Sequence, residues 1–124
     1  MAGLLDGVKV LDLTRVLAGP YCGMMLADMG AEVTKIELPG RGDDSRRNFP
    51  IVNGESAYFM NLNRNKRGMT LNLKSEKGKE IFRELVKQSD IVLENYRPGV
   101  MEKLGLGYED LKKITPAIIY GAVS

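Results

Sequence analysis

Histidine is absent from the 124 residues, and cysteine occurs once, at Cys22. Without histidine there is no Ser-His or Cys-His nucleophilic pair, and one thiol among scattered carboxylates makes no zinc site. Any chemistry here falls to carboxylate, lysine or tyrosine. A single cysteine also allows no internal disulfide, as in a protein of a reducing compartment. Net charge is scarce as well: 18 basic against 16 acidic residues leave +2, too weak a field for nucleic-acid binding by bulk charge. Long apolar runs are missing too. The longest uncharged stretch, Val16 to Ala27, is 12 residues, short of the roughly 20 that a membrane span needs. The start, MAGLLDGVKV, has no basic region followed by an apolar core, so no signal peptide is read and a cytoplasmic location is expected.

What is present has the composition of one globular domain, 44% hydrophobic and 27% charged. Strand and helix patterns alternate along it. Val8–Leu13 is a mostly apolar run of the kind a strand buried on both faces shows. Pro20 suits the first position of a following helix, in which Cys22, Met25, Leu26 and Met29 share a face and which Gly30 ends. AEVTKIE reads as a second strand, Leu38 to Ser56 as a long surface loop, and Gly68–Leu73 as a third strand. Ser75 caps a helix with the stripe Ile81, Phe82, Leu85 and Val86; Asp90–Glu94 is a fourth strand; YEDLKKI is a short helix stopped before Pro116; and AIIYGAV is a further buried-strand pattern. The expected fold class is therefore α/β, a mostly parallel sheet with flanking helices. Ligands of such sheets bind beyond the carboxyl ends of the strands, where both TRVLAGP and ENYRPGV fall. After the last apolar run an α/β domain would ordinarily continue, so the sequence is expected to be a piece of a longer protein.

Nucleotide motifs mostly fail. There is no G-x-x-x-x-G-K-[ST], the turn after the first strand lacks G-x-G-x-x-G, and GLGYED follows a helix instead of a strand, so neither a P-loop nor a standard NAD site is read. The order and wording of two long stretches do match something. LDGVKVLDLTRVLAGPYCGMMLADMGAEVTKIELPGRGDDSR resembles the amino-terminal signature of the family III CoA-transferases, a group that includes related racemases, and NLNRNKRGMTLNLKSEKGKEIFRELVKQSDIVLENYRPGVMEKLGLGYEDLKKITPAIIYGAVS continues it in order.

The resemblance implies a Rossmann-like half of a large domain in a longer chain, with interlocked homodimers. It further implies residues 1–124 as the CoA-binding part, and chemistry done by an aspartate downstream of YGAVS, so no catalytic residue is assigned here. In the transferases that carboxylate attacks the acyl-CoA thioester, and an anhydride and an enzyme acyl-CoA thioester follow. In the racemases an acid/base pair moves the proton beside the thioester carbonyl instead. A third reading is a non-catalytic CoA-binding or assembly module.

For coenzyme A the resemblance points to Val16, Leu17 and Ala18 at an apolar turn, with Gly19 letting the backbone pass close to the ligand. It points also to Leu71 and Lys74 at the nucleotide end, to Asn95, Tyr96 and Arg97 after the fourth strand, and to Lys103 and Leu104 near phosphate and adenine. No metal is implied. The partners implied are acyl-CoA and carboxylic acid substrates, with neither nucleic acid nor membrane. Leu17 stands where formyl-CoA transferases carry a glutamine that helps in catalysis, and Leu38 where relatives often carry a nucleotide-contacting arginine, for which Arg41 is near enough to substitute. Each residue has a plainer reading. Val16–Ala18 could be core, Cys22 and Met24, Met25 and Met29 packing, Lys74 a surface residue, and RNKRG either a phosphate-binding turn or a solvated charge cluster. Asp43, Asp44 and Glu94 read as structural or solvated.

Overall fold

The computed structural model describes residues 3–124; Met1 and Ala2, which open the stretch without a signal-peptide pattern, lie outside them. In chain order the elements are β1 (Lys9–Asp12), α1 (Ala18–Asp28), β2 (Glu32–Glu37), a 3-10 turn (Asp44–Arg47), β3 (Ile51–Val52), β4 (Glu55–Ser56), α2 (Ala57–Leu62) and β5 (Lys66–Thr70). Then come α3 (Glu76–Lys87), β6 (Ile91–Glu94), α4 (Val100–Lys103), α5 (Tyr108–Ile114) and β7 (Ile119–Ala122). Five strands form one sheet in the order β5-β2-β1-β6-β7, and every pairing in it is parallel. The expected α/β class is the observed one. The chain order reverses between β1 and β6, which makes the gap beyond their carboxyl ends the switch point where such sheets open a crevice.

Alternation along the central strands builds two cores. Val10, Val33 and Leu93 face α1 and its Ala27, whereas Leu11, Ile36 and Val92 face Phe82 and Val86 of α3, Met101 of α4 and Leu111 of α5. Phe82, Val86 and Leu111 are wholly buried, each contributing about 1.5–3 kcal/mol. Ser75 caps α3 as expected, its Oγ accepting from the Gly78 amide at 3.0 Å. Gly30 ends α1 at φ +105°, a backbone state open to glycine at little cost.

Three readings shift. α1 starts two residues before Pro20, and its buried side is Gly19, Pro20, Gly23, Met24 and Ala27, with Met25 half exposed. Small residues take the inner side because the helix lies close on β1: a Cβ on Gly23 would stand 2.5 Å from the Asp12 carboxylate. The third strand runs Lys66–Thr70, two residues early, in register with β2 from Val33↔Lys66. AIIYGAV is not fully buried, because β7 pairs on one side only and Ile119 of its outer face is 62% exposed.

Candidate functional site

The turn leaving β1 and the turn leaving β6 meet at the switch point. Arg15 donates its amide to Asn95 Oδ1 at 2.9 Å, and Asn95 Nδ2 donates back to the Arg15 carbonyl at 2.8 Å. The next residue, Val16, sits at φ +73°. For a β-branched side chain that region costs about 1–3 kcal/mol, so the surroundings must hold it. They do so through Asp43, a fully buried carboxylate whose Oδ1 accepts the Val16 amide at 3.0 Å. The same oxygen accepts the Ser45 amide and hydroxyl at 2.9 and 2.8 Å. Lys35, also buried, places Nζ 2.8 Å from Asp43 Oδ2 and donates to the Thr14 carbonyl at 2.9 Å. β2 and its loop thus clasp the turn from beneath.

The clasp pushes apolar side chains outward. Val16 is 39% and Leu17 51% exposed, which removes the core reading for both. No side-chain hydrogen bond caps the start of α1 at Leu17. The tight spot at Gly19 is internal: a Cβ there would lie 2.3 Å from the Thr14 Cβ, so packing on Thr14 by itself requires a glycine here.

Below lies a second buried pair. Lys66 Nζ is 2.8 Å from Asp12 Oδ2 and also donates to the Pro20 carbonyl (3.0 Å) and Asn63 Oδ1 (2.9 Å). Asp12 Oδ1 accepts the Thr14 amide at 2.9 Å and the Thr14 hydroxyl. Burial pulls the Lys66 ammonium below its ordinary pKa, with Asp12 opposing. In RNKRG, Arg64 pairs with Asp28 at 2.8 Å, whereas the Arg67 side chain is 79% exposed and lies 3.6 Å from Glu32.

Two cavities open beside the turn. One, of about 260 Å³, brings Leu71, Lys74, Tyr96 and Leu104 together over Ile36 and Leu73. The other, of about 300 Å³, brings together Val16, Leu17, Ala18 and Asn95 with Asp44. Arg97 and Lys103 are exposed and line neither. Arg15, which sequence reasoning did not single out, lines both and lies 5.3 Å from the centre of the Tyr96 ring. Its position directly after β1, at the switch point, was the available signal. Burial raises the Tyr96 phenol pKa against the pull of Arg15.

Glu37, at the end of β2, accepts two bonds from Arg46 (2.7 and 2.8 Å) and one from the Asp43 amide (2.7 Å). Arg46 stacks 3.8 Å from the Phe59 ring centre. The Arg46 bonds hold Glu37 below the ordinary carboxylate range although burial works against them. Asp43 is likewise lowered on balance: burial pushes it up, and Lys35 with the Ser45 and Val16 amides pulls it further down. A carboxylate depressed by folding stabilises the fold fully above its unfolded pKa, and that stability is lost as pH falls through the folded value. Urea midpoints are therefore expected to lose nothing to these two groups between pH 7 and about 5, and to fall progressively below about 4.5. Asp43→Asn should flatten that fall; an unchanged acid slope in the variant would contradict the assignment.

Among the described residues no group of three or more Cys, Asp or Glu could hold a metal, and no helix is long and apolar enough to cross a membrane. A family model described as CoA-transferase family III matches residues 5–124. The chain is 52% identical over 121 residues to the succinyl-CoA:glutarate CoA-transferase of Mus musculus, covering 97% of this chain and 28% of that one. It is 49% identical over 122 residues to the acetyl-CoA:oxalate CoA-transferase of Acetobacter aceti, covering 98% and 31%. Among solved structures, a CAIB/BAIF family protein from Brucella suis superposes with a TM-score of 0.93 at 44% identity, over 100% of this chain and 34% of that one. The chain thus spans about 30% of the length of the curated relatives it matches.

Proposed function

The chain belongs to CoA-transferase family III, and from that premise we propose that it is the amino-terminal, CoA-binding part of an enzyme that moves coenzyme A between an acyl-CoA and a carboxylic acid. The observation that carries this reading is the strained turn Val16–Ala18, held exposed by buried ion pairs beside an apolar cleft with cationic rims. Coenzyme A needs an apolar slot for adenine, cations for its phosphates and a surface for the pantetheine arm. In this reading Leu71 and Leu104 contact adenine and Lys74 the nucleotide end. The turn and Asn95 border the arm, with Tyr96 beside them. Arg97 and Lys103 lie outside both cavities, and reach phosphate only if their exposed side chains swing inward.

The acyl exchange itself is assigned to a carboxylate outside residues 1–124. That group attacks the thioester carbonyl and CoA leaves as thiolate. The thiolate then attacks the enzyme's carboxyl carbon in the resulting anhydride, releasing the donor acid and leaving an enzyme-CoA thioester. The acceptor acid repeats the two steps in reverse and departs as its CoA thioester. Relatives named as transferases favour transfer over racemisation. An interlocked homodimer and a cytoplasmic setting belong to the same proposal.

Isothermal titration tests it, with coenzyme A against dephospho-CoA and NAD. Micromolar binding of coenzyme A, about −8 kcal/mol, is expected, weaker without the 3′-phosphate and absent for NAD. Arg97→Ala and Lys103→Ala then report whether those two cations touch the ligand. No heat from a chain shown to be folded, or equal binding of NAD, overturns the reading.

A further inference from the structure

We propose that Arg15, Arg41 and Arg47 form a phosphate seat around Asp44, at the edge of the cavity beside the turn, in which the Asp44 carboxylate stands in for the ligand's phosphate. The proposal deepens the CoA reading and rests on it for the ligand's identity. Arg41 meets Asp44 Oδ1 with Nε and Nη2, each at 3.1 Å. Arg47 Nη2 lies 3.7 Å from the same oxygen, and Arg15 Nη1 lies 3.8 Å from Oδ2. One carboxylate thus faces three guanidiniums, an excess of two positive charges, and only Arg41 reaches it at hydrogen-bond distance.

A carboxylate is the wrong size and charge for that setting. Phosphate carries more charge and presents its oxygens in several directions, which suits forks converging from three backbone positions. As a device for stabilising the loop the cluster is poor, since an exposed pair contributes little and a second and third arginine add mutual repulsion. The other acids nearby are not free to neutralise it. Glu37 is taken up by Arg46 and the Asp43 amide, and Asp43 by Lys35.

Location supplies the ligand class. Arg15 lines both cavities and Asp44 the one beside the turn, while Arg41 and Arg47 approach Asp44 from the exposed side. A phosphate that displaced Asp44 would therefore sit at the edge of that cavity, with Arg15 between it and the apolar cleft. That is the place for the charged middle of a ligand with an aromatic base at one end and an uncharged arm at the other. Leu38 lines the cleft without offering a donor, and of the three arginines Arg15 alone lines that cleft, with Arg41 and Arg47 reaching toward it through Asp44.

The test titrates inorganic pyrophosphate into the full chain, into D44N, and into the R41Q/R47Q double variant, each checked for its fold by circular dichroism; single R41Q serves if the double variant fails to fold. Removing the stand-in charge is expected to tighten pyrophosphate about tenfold, and removing the forks to weaken it about tenfold or more. A D44N chain that binds pyrophosphate no better than wild type, or glutamine variants that bind it equally well, overturns the seat. Coenzyme A and dephospho-CoA are titrated in parallel. Coenzyme A binding that none of the variants changes leaves the CoA reading standing and the seat refuted. Pyrophosphate results as expected without any coenzyme A binding would refute the CoA reading and keep the seat. A CoA to dephospho-CoA affinity ratio that falls in the glutamine variants assigns the seat to the 3′-phosphate, and a constant ratio with weaker binding of both assigns it to the diphosphate.

Discussion

Lys66→Met is expected to lower stability by about 3–5 kcal/mol, because it leaves the Asp12 carboxylate buried without its counter-ion. Asp12 is wholly buried and Lys66 has 1% of its side chain exposed, so water cannot take over either charge. For a domain of this size the loss corresponds to roughly 10–25 °C in Tm. Methionine fills similar space, so the cost is electrostatic and not a cavity. Two further bonds go with the ammonium, to the Pro20 carbonyl and to Asn63, which tie α1 and the α2–β5 connection to β1. Urea unfolding of wild type, Lys66→Met, Asp12→Asn and the double variant measures the coupling. The double variant should cost clearly less than the sum of the singles. Additive costs would mean that the pair carries no special interaction.

Asp43→Ala should weaken coenzyme A binding about tenfold or more, equivalent to about 1.4 kcal/mol or greater, and also destabilise the chain by leaving Lys35 buried and unpaired. Two losses coincide at this residue: the counter-ion of Lys35 and the acceptor that holds the Val16 amide at φ +73°. Without that acceptor Val16 relaxes toward an extended backbone, and the outward display of Val16 and Leu17 relaxes with it. The double variant Lys35→Met/Asp43→Asn separates the two effects. It removes both charges while the introduced asparagine keeps a side-chain carbonyl for the Val16 amide, so coenzyme A affinity should stay near wild type. Wild-type affinity in Asp43→Ala would show that the turn holds its shape without the clasp.

The alternation of element patterns was legible because burial writes a period into the chain. Val10 and Leu11 take opposite faces of β1, and Phe82 and Val86 share the inner face of α3. The meeting of the turns after β1 and β6 followed from topology: parallel strands end at one edge, and the order reverses between those two. The inner face of α1 was not legible. Periodicity put Met25 on the inner face with Cys22 and Leu26. Those two do pack against the core, but the helix lies so close to β1 that Gly19, Pro20, Gly23, Met24 and Ala27 are its buried residues and Met25 is half exposed. Strand β7 was misread for the opposite reason, since an apolar run does not say whether a second neighbour exists.

The candidate site divides in the same way. Leu71, Lys74, Tyr96 and Leu104 come together in one cavity, and Val16, Leu17, Ala18 and Asn95 in the other, as positions taken from a resemblance. The place of Arg15 directly after β1 marks it as near the switch point, but only the packing of the two turns puts it between the cavities. Asp43 read as structural or solvated, and it proved structural in a specific sense, as the buried anchor of a strained turn.

By itself the sequence determined the α/β class, the positions of most strands and helices, the family and the stretch of chain from which a coenzyme grip would be built, because these depend on composition, period and local motif. Only the tertiary structure decided which charges are buried as pairs, which face of α1 is inside, and which arginines converge on Asp44. Those outcomes rest on distances between residues far apart in the chain, such as Asp12 with Lys66, and a linear pattern carries no record of such distances.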